Sequence, residues 1–211
     1  MEIKWFGHSC FQIKTKEGTI VTDPYSAEVG WSLPRLTADV LTISHDHFDH
    51  NAKGLVDAQR VFESPGEYEA SGMAITGVLG SHDEVGGAKR GKITMFKFLA
   101  EGTTVLHLGD LGSQLSDVQL DEIGSVDIVL VPVGGNYTLD AKGAVEVVNT
   151  LEPKVVIPMH YKLPGLNIDI KGVDEFIGEI GLTPERAEKL LLSRSSLPEE
   201  GMRLIILSKS G

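Results

Sequence analysis

His45-Asp46-His47-Phe48-Asp49-His50 is the densest run of metal-type side chains in the sequence, holding three of its seven histidines. It directly follows Val40-Leu41-Thr42-Ile43, an apolar segment with the composition of a buried strand. The run therefore lies where a strand hands over to a loop. Alternate residues at a strand end point the same way, so His45 and His47 can bind one ion together. Asp49 and His50 lead into Asn51-Ala52-Lys53-Gly54-Leu55, which reads as a short helix. Adjacent residues there diverge, so His50 can reach a second ion beside the first. The plain alternative is a polar loop that happens to be rich in histidine.

Two later segments argue against that alternative. Val105-Leu106-His107-Leu108-Gly109 ends in Asp110, and Val155-Val156-Ile157-Pro158-Met159 ends in His160. His82, in Gly80-Ser81-His82-Asp83, follows the apolar stretch 75–79 and precedes a glycine-rich turn. Alone, such a histidine is an ordinary loop residue; beside the others it is a ligand candidate. Neutral imidazole is a borderline ligand that suits zinc, iron and related ions. A carboxylate can bridge two cations and lower their repulsion. Two ions roughly 3.5–4 Å apart can share a water, generate hydroxide at neutral pH and polarise a scissile group. No Ser, Cys or Lys nucleophile is then required.

Around this cluster the chain reads as many short strands with helices between them. The 24 glycines exceed the usual ~7% and fall between apolar runs, as turns joining strands require. Strands are expected at 2–6, 11–15, 19–22, 40–43, 60–63, 73–78, 93–99, 103–108, 128–133, 155–159 and 203–207. Helices are expected at 115–123, 141–151, 173–180 and 184–192. For the last of these, Thr183 serves as N-cap and Pro184 as the first helical residue. The result is an α/β or α+β sandwich, formed by residues 1–211 as a single domain.

Composition narrows the function. One cysteine, Cys10, allows no internal disulfide, and the residue itself reads as core. With no signal-like start and no apolar run approaching 18 residues, a cytoplasmic protein without membrane association is expected. The formal net charge of −11 repels nucleic acid. Lys89-Arg90-Gly91-Lys92 is the one local basic patch, and it reads as a solvated turn before a strand. The expected partner is a small-molecule substrate, and a homo-oligomer is compatible with the sequence.

His45-Asp46-His47-Phe48-Asp49-His50 resembles the His-X-His-X-Asp-His motif of the metallo-β-lactamase fold superfamily, with His82, Asp110 and His160 in the order of its later metal residues. Gly7-His8-Ser9, Thr22-Asp23-Pro24, Gly134-Gly135-Asn136-Tyr137-Thr138 and Ile157-Pro158-Met159-His160-Tyr161 are similar to its small single-domain branch, which includes ascorbate-6-phosphate lactonase-like hydrolases. The resemblance covers roughly residues 1–162. It implies a four-layer αββα sandwich with the site along one edge of the two sheets. It implies that His45, His47 and His82 hold a first ion and that Asp49, His50 and His160 hold a second, with Asp110 bridging. Zinc is the expected metal, with manganese and iron as alternatives. Asp49 and His160 are the catalytic candidates, Asp49 also orienting the attacking hydroxide. His107 competes with His82, but strand alternation turns it away from Asp110.

Supporting roles stay open at this level. Asp23 either hydrogen-bonds a ligand histidine or forms an Asp-Pro turn. His8 contacts substrate, supports a ligand or is structural. Asn136 and Tyr137 bind substrate, stabilise a transition state or form an ordinary turn. Trp5 and Trp31 read as core or pocket wall. Lys142 and Lys162 are candidate phosphate or carboxylate binders, or simply solvated.

The leading function is hydrolysis of a small ester, lactone, amide or phosphodiester by a metal-held hydroxide. A non-enzymatic metal-binding or sensor protein is the alternative. A di-iron redox centre on this fold typically replaces ligand histidines with carboxylates and works beside a flavin domain. Here the histidines are intact.

Overall fold

The computed structural model describes all 211 residues. The first half is strands: β1 (Glu2–Gly7), β2 (Cys10–Lys14), β3 (Thr19–Thr22), β4 (Leu36–Thr42), β5 (Val56–Phe62), β6 (Gly66–Ala70), β7 (Met73–Ser81), β8 (Lys92–Ala100) and β9 (Thr103–His107). Helices then alternate with strands: α1 (Asp117–Ile123), β10 (Ile128–Pro132), α2 (Ala141–Leu151), β11 (Val155–Met159) and α3 (Asp174–Ile180). The chain ends with β12 (Pro184–Ala187), β13 (Leu190–Leu191) and β14 (Arg203–Leu207).

These form two sheets. Six strands run in the order β13-β1-β2-β3-β4-β5, and eight in the order β12-β14-β11-β10-β9-β8-β7-β6. β3, β4 and β5 are parallel, as are β9, β10, β11, β14 and β12. Two antiparallel steps, β7 to β8 and β8 to β9, bring β7 back to the direction of β9. The ends of β7, β9, β10 and β11 therefore reach the same margin of the larger sheet.

Period-2 alternation explains why both faces of the smaller sheet are apolar. Ile20 and Val40 face the larger sheet, within a core that also takes Phe96, Val105, Leu130 and Ile157. Their neighbours Val21 and Leu41 face outward into a second cluster with Val29, Leu33, Leu166 and Ile170. Burying each such side chain contributes about 1.5–3 kcal/mol. The outer cluster is closed by a 3-10 turn (Ala27–Val29) and by the loop after β11, while α1 and α2 lie against β7 and β10 of the larger sheet. This is the two-sheet sandwich with few helices expected for the fold class. The longest helix, α2, has 11 residues, and no helix is long and apolar enough to cross a membrane.

One expected helix is corrected. Residues 184–192 form β12 and β13. Pro184 opens an edge strand parallel to β14, a position that tolerates a missing N–H as well as a helix start does. Leu190 and Leu192 are buried and Leu191 is exposed, so the segment has a strand's period, hidden in a run of three identical residues. The segment also steps from one sheet to the other, since β13 pairs with β1.

Candidate metal centre

Asp23 follows β3 and is fully buried, with a left-handed φ of 37°. Its carboxylate accepts from Ser44 N (2.7 Å), Ser44 Oγ (2.5 Å) and His50 Nδ1 (2.8 Å). Ser44 Oγ spends its proton on Asp23, so His45 Nδ1, 2.9 Å away, donates to it. His82 Nδ1 donates to the carbonyl of Tyr137 at 3.1 Å. These partners assign one tautomer to three imidazoles, leaving Nε2 of His45, His50 and His82 as lone pairs when the rings are neutral.

All three Nε2 atoms converge on one carboxylate. Oδ1 of Asp110 lies 3.2 Å from His50, and Oδ2 lies 3.5 Å from His82, 4.0 Å from His45 and 3.1 Å from Nε2 of His160. A lone pair facing a carboxylate at such distances repels it unless a cation or a proton lies between. His50 Nε2 and Asp110 Oδ1 are buried without any hydrogen bond. The residues thus fit a metal centre, and the histidine and carboxylate donors suit zinc or a related ion. Two groups have ligand atoms close enough to share an ion: His45, His47 and His82, and His8, Asp49, His50 and His160. Asp110 groups with His45 and His50, one from each set.

The electrostatics follow from burial. His45 falls to about 3 and His8 to about 4, chiefly because desolvation penalises the charged ring. His82 is lowered for the same reason. At His50 burial also opposes the charge, but the carboxylates of Asp110 and Asp49 outweigh it and raise the pKa well above the usual value. Burial likewise opposes ionisation of Asp110, yet His160 and His50 hold it far below the carboxylate range.

His8 sits at the turn between β1 and β2, fully buried, with φ 53°. Its Nε2 is 3.0 Å from Oδ2 of Asp49, and its ring lies against His160 at 4.1 Å between centroids. Trp5 Nε1 and His160 N both donate to the His8 carbonyl. His8, Asp23, Asn136 and His160 are four of seven non-glycine residues with positive φ. Such conformations cost about 1–3 kcal/mol each and concentrate where surrounding structure enforces them.

Each ligand residue expected from the sequence is brought into this cluster. Tyr137 reaches it through its carbonyl and also lines the adjoining cavity. Asn136 does not: its Nδ2 donates to the Asp169 carbonyl, tying two loops together. His107 is buried beside Phe11, with Nε2 against the Ser9 carbonyl, and joins neither group. Lys162 is held by the carbonyls of Leu166 and Ile168, and Lys142 lies apart on α2. Cys10 and Trp5 are core, and Trp31 packs on the outer cluster. The sequence reading missed the cavity's other walls. Its volume is about 670 Å³, and its lining includes Phe48, Lys89, Arg90, Asn167, Ile168 and Asp169 beside the ligands.

Residues 2–160 match the beta-lactamase superfamily domain family. A solved structure from Thermotoga maritima, assigned to the zinc-dependent hydrolases of the metallo-β-lactamase superfamily, superposes with a TM-score of 0.80 at 40% identity over 98% of both chains. The chain belongs to the metallo-β-lactamase superfamily. A UPF0173 protein of Pyrococcus abyssi is 34% identical over 76% of this chain and 83% of its own. A UPF0173 metal-dependent hydrolase of Thermoplasma volcanium is 30% identical over the same shares. Within the superfamily the chain is a metal-dependent hydrolase of this UPF0173 kind.

Proposed function

We propose that this chain hydrolyses a small ester, lactone, amide or phosphodiester at a pair of divalent cations. His45, His47 and His82 hold one, Asp49, His50 and His160 hold the other, and Asp110 serves both. The observation that carries this reading is Asp110, whose two oxygens face imidazoles of both groups. Bound there, the ions would lower the pKa of a shared water toward neutrality and polarise the scissile group. The chain's own residues do the positioning. His8 holds Oδ2 of Asp49 at 3.0 Å and so fixes the carboxylate that orients the attacking water. His160 closes the cluster from the opposite sheet, its backbone N–H anchored on His8. Phe48 and Ile168 supply apolar wall, and the cavity has the size of a small-molecule site. Zinc is the first choice, supported by the donor set and by the zinc dependence assigned to the Thermotoga maritima relative.

Elemental analysis of protein prepared without chelator or histidine tag tests this directly, beside His47→Ala and Asp110→Asn. About two ions per chain are expected, with a clear loss in both variants and activity reduced at least ~100-fold in Asp110→Asn. Full metal content and full activity in Asp110→Asn would overturn the bridging role. No bound metal after reconstitution with zinc, manganese or iron would remove the basis of the hydrolase reading.

A further inference from the structure

The loop between β7 and β8 carries a cation whose place the reaction above does not use. It begins with Asp83, directly after the ligand His82, and Asp83 is 1% exposed. The Asp83 carboxylate accepts four backbone N–H groups: Val85 at 3.0 Å, Gly87 at 2.7 Å, Lys89 at 2.9 Å and Arg90 at 2.7 Å. The loop is therefore wrapped on a buried side chain, which sets the backbone of Arg90 relative to His82. The side chain of Arg90 is set as well. Its guanidinium lies 5.2 Å from the ring centroid of Tyr137, the residue whose carbonyl holds His82. Arg90, Tyr137 and His82 line the same cavity.

Charge distribution gives this placement a meaning. The chain has a net charge of −11, and the cavity wall already carries Asp49, Asp110 and Asp169. Lys89 and Arg90 are its two cationic side chains apart from the histidines. Lys89 is paired with Glu84, whereas Arg90 makes no ion pair. A stacked, unpaired guanidinium at the wall of a cavity presents its fork of N–H donors to a carboxylate or phosphate, which it can bind bidentately.

We propose that Arg90, braced by Asp83 and Tyr137, is an anion clamp that selects substrates bearing a carboxylate or phosphate group remote from the scissile bond. This rests on the hydrolase reading for where the scissile bond lies, but the clamp can be tested by binding alone. Calorimetry on zinc-loaded protein would compare succinate with butyrate, glutarate with valerate, and adipate with hexanoate. One carboxylate of each diacid can sit at the cluster and the other at Arg90. Zinc content and thermal midpoint are recorded for every sample, with Lys142→Gln as a remote control. At least one diacid should bind about tenfold more tightly than its monoacid, the worth of one good charge-assisted contact. That ratio should approach one in Arg90→Gln, be intermediate in Arg90→Lys and persist in Lys142→Gln.

A ratio near one at every chain length in the unaltered protein, or a ratio preserved in Arg90→Gln, overturns the clamp while leaving the hydrolase intact. Protein that takes up no zinc but still shows an Arg90-dependent diacid preference would sink the hydrolase reading and keep the clamp. Binding of 3-phosphonopropionate more tightly than succinate through Arg90 would identify the group as a phosphate. Weaker binding would identify it as a carboxylate.

Discussion

Asp23 belongs to none of the candidate metal-holding groups, yet its two oxygens accept from Ser44 N, Ser44 Oγ and His50 Nδ1. Through His50 it aims a ligand of one group; through Ser44 Oγ and His45 Nδ1 it aims a ligand of the other. Burial opposes its charge, but the bond from His50 keeps its carboxyl below the usual range, so it stays an acceptor at neutral pH. Asp23→Asn keeps the shape and tolerates the left-handed backbone, but it replaces one acceptor oxygen with a donor. Metal affinity should fall about 10–100-fold for both ions, as outer partners of ligating histidines typically contribute. Ser44→Ala should weaken chiefly the His45 group. Competition against a chromogenic chelator measures both variants. If Asp23→Asn titrates like the unaltered protein, Asp23 is a turn former and no more.

At the scale of elements, each ligand loop depends on a close backbone approach. Gly112 follows Asp110 and lies against the start of the β7–β8 loop. A Cβ there would stand 2.5 Å from the His82 carbonyl oxygen, 2.6 Å from its carbon and 2.7 Å from Asp83 N, all of them backbone atoms. Gly112→Ala should therefore displace His82 without touching any ligand side chain. Overpacking of this kind costs about 1–3 kcal/mol. The variant should melt at lower temperature and retain about one ion, the group of His45, His47 and His82 losing its third member. Two ions and an unchanged melting temperature would show instead that the loop yields freely. The same dependence on distant backbone separates what could be read in the sequence from what could not. The His45–His50 run was legible because its spacing is local. Asp110 and His160 were legible because each closes an apolar strand. Arg90 was not: its place at the cavity depends on Asp83 gathering four N–H groups and on Tyr137 arriving from another loop. The bond from His8 to Asp49 joins residues far apart in the chain. β12 and β13 were hidden by a proline and a leucine run that suit helix and strand alike.

At the scale of the whole molecule, the candidate ligands are divided between the two sheets. His45, His47, Asp49 and His50 follow β4 of the smaller sheet; His82, Asp110 and His160 follow β7, β9 and β11 of the larger. At this margin the sheets are joined by few direct bonds, including Thr94 N to Ser44 O at 2.8 Å and His160 N to His8 O at 3.1 Å. Elsewhere they are held by the apolar core between them. Ions shared across the margin would therefore act as clips between sheets, and a ligand that binds only the folded state stabilises it by mass action. Without them, His8 and His45, with pKa values of about 4 and 3, become a liability in acid. The unfolded chain takes up protons below a histidine pKa of ~6.5, while these two folded rings resist them. The stability they contribute is present above that value and is lost progressively as pH falls toward 4. Stripped protein should thus unfold at lower temperature than loaded protein, and its own midpoint should fall further as pH drops from about 6.5 to 4. Hydrogen exchange would locate the loosening. Protection should drop in residues 44–52, 82–91, 109–112 and 160–170 and stay unchanged in the central strands β10 and β11, which the core buries on both faces. Loss spread evenly over both sheets would mean that the metals support global stability without clipping this margin, and no loss at all would mean that the core alone holds the sheets together.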